Sequence, residues 1–273
     1  MSDFYLLIPC YNNEPGLIRS LQSVQYPDGA YTIVVVDDGS IQPLSKDKII
    51  QALSPYRQLI LLRLPQNRGI TEALNTGLRW IADQGPATLV ARLDCGDLCH
   101  MDRFYRQVRF LQQNPEVQLV GSWCTFRNFH SGENFLYKTP TIHNRIIRSM
   151  HFRNVFIHPT VMWRLNAENP LFYPIEYPHA EDYGFFNEIL TQSKSAILPF
   201  SLVDCEINPS GLSLANRQQQ IRSRIGVVRR YGQQNMLKHI GILKLHILKH
   251  IPYNWLYLVK IILYKNKLKS VNV

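Results

Sequence analysis

After Glu206 the chain has no acidic residue. From Asn208 onward twelve Lys and Arg stand unopposed, while residues 1–206 hold 18 basic and 20 acidic residues. The net charge of +10 therefore belongs to the last quarter alone. No DNA- or RNA-binding module accompanies that charge, so no nucleic-acid partner is expected. Cysteine is sparse: Cys10, Cys95, Cys99, Cys124 and Cys205, an odd number at wide spacing, build no disulfide framework. Cys95 and Cys99 have no second pair at zinc spacing, so free thiols in a reducing compartment are expected. No apolar run reaches the roughly 18 residues that span a bilayer. The longest, Trp255 to Tyr264, is interrupted by Lys260. Asp3 precedes a short apolar run without a basic region or small-residue cleavage pattern, so no secretory signal is expected.

What is present is ordinary globular composition, 45% hydrophobic and 18% charged over 273 residues, with a strong α/β rhythm. Tyr31 to Ser40 reads Y-T-I-V-V-V-D-D-G-S. Its β-branched, non-alternating run suits a strand buried on both faces, as in a parallel sheet. It ends on Asp37 and Asp38, where open α/β sheets bind ligands. Phe4 to Ile8, Leu59 to Leu64 and Thr88 to Leu93 are further strands, and Leu17–Val24, Ile70–Ala82 and Arg103–Gln113 have helical spacing. Three of these four strands run into carboxylate-bearing loops and the other into Asn67-Arg68-Gly69. Val117 to Thr125 and Ala196 to Ile207 read as strands, residues 126–150 as a hairpin and short helix, and Ala180-Glu181-Asp182-Tyr183 as a helix start.

Six segments then stand in a recognisable order: I-P-C-Y-N-N-E at 8–14, V-V-V-D-D-G-S at 34–40, N-R-G-x5-N-x-G at 67–77, R-L-D-C-G-D at 92–97, H-P-T-V-M at 158–162 and A-E-D-Y at 180–183. Over about residues 4–215 the chain resembles family 2 glycosyltransferases, the inverting GT-A type of bacterial surface-polysaccharide synthesis. The resemblance implies a GT-A-like, Rossmann-like α/β fold with a mostly parallel central sheet flanked by helices. It also implies a nucleotide-sugar donor, most often UDP-linked, carrying a hexose or N-acetylhexosamine, and a saccharide or lipid-linked acceptor. Pro9, Tyr11, Glu14 and Asp38 would hold the nucleoside, with Arg68 and Asp94 near the phosphates. Asp182, with Glu181 second, would deprotonate the acceptor, and His158 would lie near it. Asp94 and Asp97 would hold a divalent cation, Mn2+ or Mg2+. The family pattern here looks like D-x-D-D, and Gly96 replaces its middle aspartate. Either Asp97 serves instead, or metal binding is weak, or the protein is a catalytically impaired, membrane-associated subunit. A nucleotidyltransferase would want a Gly- and Lys-bearing phosphate loop where Pro9 to Pro15 stands.

Residues 216–273 read as a basic, helical C-terminal extension to a domain of residues 1–215. From Met236, apolar residues alternate with lysines and histidines. Lys238, His239, His246, Lys249 and His250 share one arc of a helical wheel, Leu237, Ile240, Leu248 and Ile251 lie outside it, and Lys244 breaks the pattern. Tyr253, Trp255 and Tyr257 follow, then Lys265, Lys267 and Lys269. Such segments lie on anionic bilayers. The expectation is a cytoplasmic protein, peripheral on the inner face of the cytoplasmic membrane. A helical pair packed on the domain is compatible with that.

Overall fold

In the computed structural model, the structure describes residues 2–27, 29–53, 58–85, 88–128, 132, 134–207 and 216–251. The Pro252–Lys269 aromatic and lysine-bearing stretch lies outside them. The first half alternates strand and helix: β1 (Phe4–Cys10), α1 (Glu14–Gln22), β2 (Tyr31–Asp37), α2 (Lys46–Ala52), β3 (Gln58–Arg63), α3 (Ile70–Ala82) and β4 (Thr88–Arg92). The second half continues with β5 (Leu98–Cys99), α4 (Arg103–Gln113), β6 (Val117–Arg127), β7 (Asn134–Tyr137) and α5 (His143–Met150). A 3-10 turn at His158–Thr160, β8 (Met162–Leu165), α6 (Glu181–Gln192) and β9 (Lys194–Glu206) follow, then α7 (Arg217–Tyr231) and α8 (Asn235–His250).

The strands form one sheet in the order β3-β2-β1-β4-β8-β6-β9-β5, with β7 paired to β6. β3, β2, β1 and β4 are mutually parallel, as are β6 and β9. The pairs β4–β8, β8–β6, β6–β7 and β9–β5 are antiparallel. The long β6–β9 ladder carries register shifts at Leu119, Trp123 and Cys124, irregularities of the kind that bend and twist a strand pair.

The period-two geometry of strands sorts side chains into two cores. Leu7, Val34, Val36 and Val90 point to the layer of α3 and α6, where Leu74, Leu78, Phe185 and Phe186 pack. Leu6, Ile8, Ile33 and Val35 point to the layer of α1 and α4, with Leu21, Phe104 and Val108. Both faces are covered, which explains why β2 is buried at all seven positions and reads as a continuous apolar run. Helix α7 joins the first core through Ile221, Ile225 and Val228, and α8 packs beside it. Both C-terminal helices thus contribute to the first core, α8 through Leu245. Among the described residues no helix is long and apolar enough to cross a membrane.

Candidate active site

The carboxyl ends of β1, β2 and β4 meet at one rim. Asn13 caps α1 by accepting from the Gly16 N–H at 3.1 Å, and Pro15 occupies the first turn, where its missing N–H costs nothing. Tyr11 is 46% exposed at this loop. Asn12 takes a positive φ of 50°, donates its N–H to Ser40 Oγ at 2.9 Å and accepts from the Ile41 N–H at 2.9 Å. Glu14 turns toward the next loop, accepting from the Ser45 N–H and Lys48 Nζ, both at 2.7 Å. These bonds hold its pKa below the usual carboxylate range. Pro9 contributes its carbonyl, which lies 3.4 Å from Cys95 Sγ.

The two aspartates after β2 do different things. Asp37 is buried and accepts from the Ser40 N–H at 2.8 Å and the Leu44 N–H at 3.3 Å. Asp38 reaches across to the loop after β3, its two oxygens accepting from the Arg68 and Gly69 N–H groups at 2.8 and 2.9 Å. Burial raises its pKa, with those two N–H groups opposing and the fields of Asp37 and Glu72 adding to the rise. Gly39 is required here: its φ is +67°, and a Cβ would lie 2.2 Å from the Gln66 carbonyl carbon. Asp38 therefore sets the N-R-G loop, while the Arg68 side chain is exposed.

Beneath Asp94 lies Arg92, which is fully buried. One of its terminal nitrogens binds Asp94, and the other donates to the carbonyls of Leu7 at 2.9 Å and Leu93 at 2.7 Å. Its Nε donates to His158 Nε2 at 3.2 Å, and the Tyr173 hydroxyl meets the same nitrogen at 2.9 Å. Burial, and then the Arg92 charge, push His158 well below its ordinary pKa. A neutral ring accepting at Nε2 fits both neighbours. His158 thus packs against Arg92 and Tyr173 at the base of the site.

Asp97 is 6% exposed, with Oδ1 accepting from the Glu206 N–H at 2.8 Å. Burial, then the charge of Asp94, lift its pKa well above the usual range. Ser20 clasps the same loop, taking the Gly96 N–H at 2.9 Å and donating to the Asp94 carbonyl at 3.2 Å. Gly96 itself has φ +106°, and a Cβ there would lie 2.5 Å from Glu206 Oε2.

The acidic helix start closes the site. Asp182 accepts from Asn154 Nδ2 at 2.9 Å and from the Tyr183 N–H at 2.6 Å. Burial, then Glu181, raise its pKa to about 7, and the Asp94 charge contributes. Glu181 is 7% exposed, and its Oε2 has no hydrogen-bond partner. Burial raises its pKa and the charge of Asp94 adds to that. Asp94, Asp97, Glu181 and Asp182 are therefore electrostatic neighbours. Asp38 stands two strands away across β1, about 10 Å at ~4.8 Å per strand, a separation a nucleoside diphosphate can bridge. Among the described residues no group of three or more His, Cys, Asp or Glu side chains is arranged to hold a metal ion. Mg2+-type sites, however, take one or two carboxylates together with substrate phosphates. Asp94, whose side chain is 38% exposed, and the unpartnered Glu181 oxygen fit a site of that kind.

Carboxylates gathered at the ends of parallel strands, with an acidic helix start facing them, place the protein among glycosyltransferases of the GT-A fold. Solved structures share that fold. S. aureus TarS residues 1–349 superpose with a TM-score of 0.61 at 17% identity, over 90% of this chain and 70% of that one. The mannosyltransferase PcManGT of Pyrobaculum calidifontis, in complex with GDP-Man and Mn2+, gives 0.63 at 18% identity over 91% and 69%. The chain belongs to glycosyl transferase family 2, whose family model matches residues 5–167. It is 27% identical over 245 residues to the amylovoran biosynthesis glycosyltransferase AmsE of Erwinia amylovora, covering 88% of this chain and 89% of that protein. It is also 27% identical over 167 residues to the UDP-Gal:alpha-D-GlcNAc-diphosphoundecaprenol beta-1,3-galactosyltransferase of Escherichia coli, covering 59% and 58%.

Sequence reasoning assigned no role to Arg92, Asn154 or Glu206. Arg92 had a visible signal, a lone cation closing an apolar strand. Glu206 had none, because only folding brings it to Gly96.

Proposed function

We infer that the protein is an inverting glycosyltransferase of cell-surface polysaccharide synthesis. It moves a hexosyl or N-acetylhexosaminyl group from a UDP-linked sugar to a saccharide or lipid-linked acceptor. The observation that carries this is Asp182: a carboxylate held by Asn154, with its pKa raised to about 7, is tuned to act as a general base near neutral pH. It takes the proton of the acceptor hydroxyl as that oxygen attacks the anomeric carbon, and the bond to the diphosphate oxygen breaks in the same displacement. Tyr11 offers an exposed ring for the base, and Asp38 and Arg68 flank the route to the phosphates. A divalent cation, when bound, neutralises charge developing on the diphosphate, with Asp94 as its exposed carboxylate. The UDP-GlcNAc complex of TarS and the lipid-diphosphate acceptor in the E. coli relative's name support the choice of donor and acceptor.

The C-terminal helices would place this chemistry at the cytoplasmic membrane face. Helix α8 buries Gly241 and Leu245 and leaves Met236, Ile240, Leu243 and Ile247 exposed at 72, 46, 61 and 53%. Ile240, outside the basic arc, faces outward in a stripe at i, i+4, i+7 and i+11 flanked by His239, His246 and His250. That pattern supports an interfacial helix.

UDP release from UDP-sugars, with Mn2+ and a lipid-linked saccharide acceptor, tests the catalytic reading. Tight UDP binding with no transfer to any acceptor would favour the impaired-subunit alternative.

A further inference from the structure

Position 96 is where the acidic set departs from the family's pattern, and the fold brings another carboxylate to that place. Glu206 is the last residue of β9. Its N–H is tied to Asp97 Oδ1 at 2.8 Å, which joins the strand end to the Asp94–Asp97 loop. Its Oε2 lies 2.5 Å from where a Cβ of residue 96 would stand. The glutamate carboxylate thus fills the space in which an aspartate side chain at 96 would begin. The contact runs from the far end of one side chain to a vacant position, and the glycine makes room for it.

Two observations point to a ligand there. Glu181 Oε2 is buried without a partner, in the field of Asp94, and a buried acceptor left unpaired is costly unless something binds it. The Glu206 carboxylate itself is only loosely engaged: Arg19 lies 3.6 Å away, with its side chain 54% exposed and that of Glu206 30% exposed. We propose that Glu206 supplies the carboxylate that Gly96 lacks, forming with Asp94 the protein half of a divalent-cation site that the donor diphosphate completes. Asp97 is the positioning residue of this pair. This rests on the donor reading above. One or two carboxylates suffice for such a site when phosphates complete the shell.

The test is Mn2+ binding to the full chain, followed by electron paramagnetic resonance with and without UDP, beside calorimetry of UDP alone. Wild type is expected to take up Mn2+ far more tightly with UDP present. Glu206→Gln keeps the N–H that Asp97 holds, and it is expected to weaken Mn2+ binding on the order of tenfold or more. Its metal-free UDP affinity and Tm should be unchanged. Glu206→Asp, which keeps the charge, should fall between the two, and Arg19→Ala should retain Mn2+. Unchanged Mn2+ binding in Glu206→Gln would overturn the proposal, as would UDP-loaded wild type that takes up no Mn2+. If Glu206 only anchored α1, Arg19→Ala and Glu206→Gln would lower Tm alike and leave Mn2+ binding intact. Failure of wild type to bind UDP at all is a separate readout, and it would overturn the donor reading as well.

Discussion

Asn154 Nδ2 donates to Asp182 Oδ2 at 2.9 Å, so an amide from the segment between α5 and β8 fixes the carboxylate that opens α6. Burial, then the charge of Glu181, raise the Asp182 pKa to about 7, with the Tyr183 N–H and Arg224 opposing the rise. A hydrogen bond to the ionised form favours ionisation, so the Asn154 contact has measurable consequences. Activity requires the deprotonated carboxylate, so kcat/KM should rise with pH through about 7. Asp182→Asn should lower kcat by about 10^2- to 10^4-fold. Asn154→Leu should move the ascending limb to higher pH and not merely scale it down. A pH profile that is flat from 5.5 to 8 in wild type would remove Asp182 as the base.

The same carboxyl has an opposite effect on stability. Its folded pKa lies above its unfolded one, so its contribution to folding is fully present below about pH 3.9 and is lost as pH rises through about 7. The ionised group in its buried seat is then a destabilising element. Asp182→Asn should therefore raise Tm relative to wild type more at pH 8 than at pH 5. The gap between the two pH values is about two pKa units, at most about 3 kcal/mol or several degrees. Thermal melts at the two pH values check it.

Arg92 gives the largest expected loss of stability. Its guanidinium serves two carbonyls, His158 and Asp94 at once, and it lies between the sheet and the site. Arg92→Met would strand those acceptors and leave Asp94 without its counter-charge. Loss of one partner of a buried ionic network costs about 3–5 kcal/mol. Arg92→Lys should recover little of it, because a point charge cannot serve four acceptors spread around a planar fork. Urea unfolding of the two variants measures this, and a loss under about 1 kcal/mol would show the network to be redundant.

How far this was legible in the chain follows from local and distant contacts. Helices α3 and α4 lie where the apolar spacing places them, because each packs one stripe on the sheet and the period reports that directly. The parallel strands were visible in the same way. β5 was not: two residues, Leu98 and Cys99, pair with Val203 and Asp204, a contact that carries no local pattern. The acidic motifs marked the rim, but not which side chains face outward. Asp38 and Asp97 sit in motif positions, and Asp38 spends both oxygens and Asp97 one on backbone N–H groups. Spacing along the chain cannot tell a carboxylate that binds a ligand from one that binds a loop.

Asp38 offers a direct measure of that distinction. Asp38→Ala would leave the Arg68 and Gly69 N–H groups unpaired in a partly buried loop, at a cost of about 1–3 kcal/mol. The loop that presents Arg68 should loosen, so UDP affinity should fall together with Tm. Asp38→Asn keeps one acceptor oxygen and should recover part of both. If UDP affinity falls while Tm is unchanged in Asp38→Ala, the carboxylate acts on the ligand directly and the loop-setting role is secondary.

The exposed stripe of α8 can be tested without touching catalysis. Met236, Ile240, Leu243 and Ile247 face away from the domain, so Ile240→Ser with Leu243→Ser should leave Tm within a degree or two of wild type. Each side chain is worth about 1.5–3 kcal/mol when fully buried in an apolar phase, and partial insertion would still give a combined loss of at least tenfold in vesicle binding. Sedimentation with vesicles containing anionic lipid reads this directly. Raising salt should weaken wild type further, since the cations of the last quarter meet a surface potential screened over about 8–10 Å. Equal sedimentation of the double variant and wild type would show that α8 presents its apolar edge to something other than lipid.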